Sequence, residues 1–141
     1  MIGLDTARKL KAAGLRWEPA QGDRFAVPDR GMDDRVFVIN DMATIIELIQ
    51  GAEMVTFHGT PEWALDHVYL GEAVWLPEEG QLRERLHRVL LQEGQPVYDL
   101  VFMDGVFTCR FEWRGESLAF AAEAAAEAYA AALLQVLRTE A

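Results

Sequence analysis

The sequence predicts an α+β fold, a mixed or mainly antiparallel sheet backed by helices, and three observations carry that expectation. Short apolar runs of strand length recur between turns rich in Gly and Pro, Val36-Phe37-Val38-Ile39 being the clearest. An Asp104-Gly105 pair stands between two apolar segments, a strong short-range signal for a hairpin. A wide Ala- and Leu-rich stripe at helical spacing occupies the last part of the chain. Strands joined partly by a hairpin and partly through helices favour antiparallel pairing with helices packed on the sheet.

Taken in order, Asp5 to Leu15 reads as a helix with Asp5 as N-cap, Leu4, Ala7 and Leu10 on one face and Gly14 as the stop. Trp17-Glu18-Pro19 and Gln21-Gly22-Asp23 form a turn-rich passage into a short strand, Arg24 to Val27. Val36 to Ile39 has the continuous apolar character of a strand covered on both faces. Asn40-Asp41 offers an N-cap, and Met42, Ile45, Ile46 and Ile49 repeat at helical spacing, so a helix is expected through Gln50 with Gly51 ending it. Met54 to His58 reads as a strand, and Thr60-Pro61 opens a short helix through Trp63 to His67. Ala73 to Leu76 is a strand candidate. The helix that follows Pro77 places Leu82, Leu86, Val89 and Leu90 on one face and pairs Glu84 with Arg88.

The C-terminal hairpin, residues 97–113, is the most sharply specified element. A two-residue Asp-Gly turn sets Met103 opposite Val106, and counting outward sets Phe102 opposite Phe107, Leu100 opposite Cys109 and Tyr98 opposite Phe111 on one side. Asp99 then faces Arg110 on the other, an opposite-charge pair consistent with the same register. Glu116 to Thr139 is expected as one long helix, with Ser117 as its N-cap and a stripe running from Leu118 through Ala125 and Tyr129 to Leu137. A chain of 141 residues is the size of one ordinary domain, and a single globular domain over 1–141 is the expectation.

Composition narrows the function classes. The net charge is −10, with seven basic and nine acidic side chains in residues 1–60 and six and fourteen in residues 61–141. A negative field of this kind repels phosphate backbones, which disfavours nucleic acid as a partner. Cys109 is the single cysteine, so no intramolecular disulfide forms. The first residues lack the apolar core of a signal peptide, and Glu123 and Glu127 interrupt the longest apolar stretch, so a cytoplasmic protein without a membrane span is expected. Eleven Arg against two Lys, with abundant Ala, fit a GC-rich genome.

Motifs for chemistry are sparse. There is no GxxxxGK[ST] run, no GxGxxG, no HExxH and no cysteine pair, so no nucleotide or other cofactor is implied. His58, Glu62, Asp66 and His67 are residue types that bind zinc or iron, and a strand end followed by a helix would bring them together. The simpler alternative ends a strand at His58 and leaves Asp66-His67 on an exposed helix face. Cys109 falls on the inward side of the hairpin, where a small buried hydrophobe explains it better than a nucleophile. Trp75 and Trp113 read as core, whereas Trp17 and Trp63 lie in or beside loops, the setting of aromatic anchors for a partner.

Two stretches carry a resemblance. Lys9-Leu10, Ala13-Gly14-Leu15, Trp17-Glu18-Pro19 and Gly22-Asp23-Arg24-Phe25 are similar to the start of short uncharacterised α+β proteins of phages and Gram-positive or Deinococcus-type bacteria. Trp75-Leu76-Pro77, and Gly115-Glu116-Ser117-Leu118 leading to Ala132-Leu133-Leu134, resemble the same group. The resemblance implies a compact α+β domain and no established activity, so no site residue transfers from it. The leading expectation is a non-enzymatic binding or accessory module, homo-oligomeric or with a protein partner, acting near Trp17 and Trp63. The alternatives are a small metal-dependent enzyme using His58, Glu62, Asp66 and His67, and an acidic DNA mimic that occupies a basic protein.

Overall fold

The computed structural model describes residues 1–31, 35–40, 44–57, 67–94 and 96–140. It mixes helices with antiparallel sheets and carries the C-terminal hairpin followed by a C-terminal helix. Two compact units divide the chain: residues Met1–Leu15 with Pro77–Ala141, and residues Arg16–Leu76. Among the described residues no helix is long and apolar enough to cross a membrane.

The first unit contains α1 (Leu4–Ala12), α2 (Glu79–Gln92), β7 (Tyr98–Met103), β8 (Val106–Trp113), β9 (Glu116–Ala122) and α3 (Ala125–Glu140), the strands being numbered along the whole chain, the second unit included. The three strands form an antiparallel meander in the order β7-β8-β9. The register of β7 on β8 is the one expected, from Met103 opposite Val106 to Tyr98 opposite Phe111. Asp99 and Arg110 meet through two bonds of 2.9 Å, and the guanidinium holds the Asp99 carboxyl below its usual range.

The segment Glu116–Ala122 departs from expectation: it is a strand and not the first turns of a helix. Arg114 and Gly115 both take positive φ, 50° and 85°, which makes a second tight hairpin turn in place of a cap at Ser117. Ser117 instead stands opposite Glu112, while Leu118 and Phe120 pair with Phe111 and Cys109. The helix starts only at Ala125. Its Ala125, Ala126, Ala128, Ala130 and Ala132 are buried with Leu133 and Val136, so small side chains let the helix backbone lie close to its neighbours.

Helix directions follow from contacts at the β8–β9 turn. Trp113 Nε1 donates to Thr139 Oγ1 at 3.0 Å near the end of α3, and Arg114 Nη2 reaches Glu93 Oε1 at 3.0 Å just after α2. Both helices therefore end at the β8–β9 turn and begin toward the β7–β8 turn. Leu82, Leu86 and Leu90, one helical turn apart, are fully buried and fasten α2. Pro77 precedes a capping box in which Glu78 N–H donates to Gln81 Oε1 at 2.9 Å. At α1 the N-cap is Gly3, not Asp5. The missing cap carboxylate comes from α3, where Glu127 accepts from Gly3 N–H at 3.0 Å and Thr6 Oγ1 at 3.1 Å.

The second unit holds β1 (Arg24–Ala26), β2 (Phe37–Val38), β3 (Thr44–Ile49), β4 (Ala52–Phe57), β5 (His67–Tyr69) and β6 (Val74–Trp75). They form two antiparallel sheets, β2-β1-β6 and β3-β4-β5. The helix expected through Gln50 is instead strand β3 over its described residues. Gln50 and Gly51 adopt φ of 52° and 82°, so Gly51 closes a hairpin and does not stop a helix. Thr44, Ile45, Ile46 and Ile49 are β-branched, which suits a pleated strand better than a helix. His67 is also in a strand, opposite Thr56, where a short helix was expected. The rest of that expected helix and the strand end at His58 lie outside the described residues.

Phe25, Val27, Ile39, Val55 and Ala73 form this unit's core, with Trp17, Phe37, Ile46 and Leu70 packed against it. Arg30 donates to Glu72, whose carboxyl is held below its usual range chiefly by that bond.

Candidate functional site

The inward row of β7 is left incomplete. Across the hairpin, Cys109, Phe111 and Trp113 on the same face of β8 are buried. Tyr98 and Leu100 on β7 are only half-buried, and Phe102 is 61% exposed. β7 is an edge strand, and α2 stands beside it, so Tyr98 and Leu100 form one wall of a groove, with Phe102 beyond its lining. The groove has a volume of about 710 Å³ and is bounded by Arg83, Glu84 and His87 of α2, by Tyr98 and Leu100 of β7, and by Tyr129 of α3.

Aromatic contacts define its depth. The His87 and Tyr98 rings meet edge-on with centroids 6.1 Å apart, and Tyr98 meets Tyr129 edge-on at 6.4 Å. Burial is the first reason that the Tyr129 phenol is held above its usual value, with Cys109 and Tyr98 adding to it. Of the groove's acids, Glu84 is engaged by Arg88 at 2.9 Å and Asp99 by Arg110. Arg83 lines the groove with no carboxylate at ion-pair distance among the described residues. A second hollow of about 520 Å³ lies along Val97, Asp99, Arg110, Glu112, Ser117 and Ala119, where the Asp99–Arg110 bridge already satisfies both charges.

Backbone chemistry distinguishes the β7 edge further. Asp104 and Gly105 have φ of 53° and 80°, a mirror-image turn in which the flanking residues Met103 and Val106 exchange hydrogen bonds. Bonded and non-bonded pairs alternate along an antiparallel ladder, so Val101 and Asp99 also point their peptide groups at β8. Tyr98, Leu100 and Phe102 therefore direct their N–H and C=O groups away from β8, toward the free edge. Of the three residues with unpaired backbone, Tyr98 and Leu100 are half-buried and Phe102 is exposed.

The residues singled out from sequence are placed as follows. Trp17 is half-buried: its ring lies 5.5 Å from that of Phe25, and its Nε1 donates to Asp23 Oδ2 at 2.9 Å. That carboxylate, almost fully buried, also accepts from Ala20 N–H at 3.0 Å, so Trp17 helps to close a loop over the second unit's core. Trp63, His58, Glu62 and Asp66 lie outside the described residues. His67 lies in β5, and among the described residues no three His, Cys, Asp or Glu side chains come together as a metal site. Cys109 is fully buried, and desolvation first, then the Asp99 charge, pushes its thiol up to about 11. A thiol in that state is protonated at neutral pH and is a poor nucleophile.

The groove residues were not selected from sequence. Sequence spacing does not reveal that β7 is an edge, so nothing in it separates His87 or Leu100 from residues of an ordinary helix or strand face. The usable signal was the hairpin itself, since a strand entered after a helix and left through a tight turn has only one assured neighbour. No family model matches the chain, and no curated protein or solved structure is significantly similar to it.

Proposed function

We propose that this protein is a non-enzymatic binding module whose partner occupies the groove between α2 and β7. The observation that carries this function is the contrast across the hairpin: Cys109, Phe111 and Trp113 of β8 are buried, whereas Tyr98 and Leu100 of β7 are half-buried beside the groove and Phe102 is exposed. Burying a large apolar side chain contributes roughly 1.5–3 kcal/mol, so Leu100 and Phe102 hold back stabilisation that a partner would release. The buried, protonated thiol of Cys109 gives no support to a cysteine nucleophile.

Random peptides displayed on phage and panned against the purified protein test the proposal. Enriched peptides should bind the Phe102→Ser variant at least tenfold more weakly, and that variant should melt normally because Phe102 is mostly exposed. Peptides that bind wild type and variant equally would place the interaction elsewhere and sink the proposal.

A further inference from the structure

We infer that the occupant is an extended segment of a partner protein that adds to the sheet as a strand beside β7, an inference that rests on the binding-module proposal above. The free N–H and C=O groups of Tyr98, Leu100 and Phe102 form a template that a helix or small molecule would leave unsatisfied. In a strand added antiparallel to β7 the residues opposite these three exchange hydrogen bonds with them, and paired residues share a sheet face. The side chains opposite Tyr98 and Leu100 then enter the groove, the one opposite Phe102 lies on that exposed ring, and the two between them face away beside Asp99 and Val101.

Charge selects the middle one. His87 stands at the level of Tyr98, and Arg83, one helical turn earlier, lines the groove with Leu100. Glu84 and Asp99 are neutralised by their own arginines, so Arg83 leaves that level of the groove positive. A glutamate opposite Leu100 lays its methylenes on the leucine and brings its carboxylate to Arg83. Glu79, one turn further and close enough to act on Tyr129, disfavours a second acid at the Phe102 level. The segment is therefore apolar, any, acidic, any, apolar, with the apolar residues opposite Tyr98 and Phe102.

The test uses a blocked nine-residue peptide with the core isoleucine, threonine, glutamate, threonine, valine, titrated into the full chain by calorimetry. Amide signals of residues 98–102 and 83–87 should shift. N-methylation of the central glutamate removes a bond to Leu100 and should weaken binding at least tenfold, while N-methylation of either threonine, whose N–H points away from β7, should change it little. Arg83→Glu should reverse the preference from the glutamate peptide to its lysine counterpart. Binding that is lost in Phe102→Ser but indifferent to which amide is methylated would overturn strand addition and leave the binding module standing. No binding by this peptide or by any panned peptide would overturn both. A dimer in light scattering that Phe102→Ser dissolves would assign the groove to a second copy and overturn the partner segment.

Discussion

A buried thiol and a buried carboxylate show how differently two side chains contribute to this fold. Cys109 is neutral when folded, and its pKa of about 11 exceeds the unfolded value of about 8.5. The unfolded chain therefore loses this proton first, and the associated stability, fully present below about pH 8.5, declines as pH rises toward 11. The denaturation midpoint should fall over that range, and subtracting the Cys109→Ala profile should isolate the fall; parallel profiles would refute it. At neutral pH iodoacetamide should label Cys109 only after denaturant is added. Asp23 works through hydrogen bonds: Asp23→Ala leaves Trp17 Nε1 and Ala20 N–H without their acceptor. Urea titration should show a loss of about 1–3 kcal/mol, because each buried donor left unsatisfied costs its desolvation.

Between elements, the tight turns decided what was legible in the sequence. Asp104-Gly105 announced its hairpin because Asp tolerates positive φ and both flanking segments alternate. Gln50-Gly51 and Arg114-Gly115 make the same turn, but their first residues are poor signals and their flanks contain helical spacing by coincidence. Ile45, Ile46 and Ile49 satisfy a helical stripe and a strand equally, and the β-branching that separates them is a weaker cue than the pattern. Leu118 and the alanines after it misled in the same way, since alanine fits both the outer face of β9 and the stripe of α3. The groove was illegible for another reason, because no local pattern says which strand lacks a neighbour. Gln50→Asn should therefore stabilise the protein by a few tenths of a kcal/mol, by relieving positive φ at the first position of its turn. Gly115→Ala should cost about 1 kcal/mol or more, measured by thermal melting. A helix beginning at Glu116 would not respond to the second change in this way.

At the scale of the whole molecule, the residues Arg16–Leu76 interrupt the first unit between α1 and α2. The Glu127 carboxylate that caps α1 follows Gly3 by 124 positions, so this hydrogen bond waits until most of the unit has been made. Translation at about 5–20 residues per second leaves α1 waiting roughly 6–25 s for its cap and for the face of α3 on which it rests. A nine-residue helix is too short to persist alone, so Ile2, Ala7 and Leu10 spend that interval in water before becoming almost fully buried. The nascent chain thus presents an apolar segment for chaperones well before it presents a fold, and a circular permutant carrying α1 after α3 would emerge without that delay.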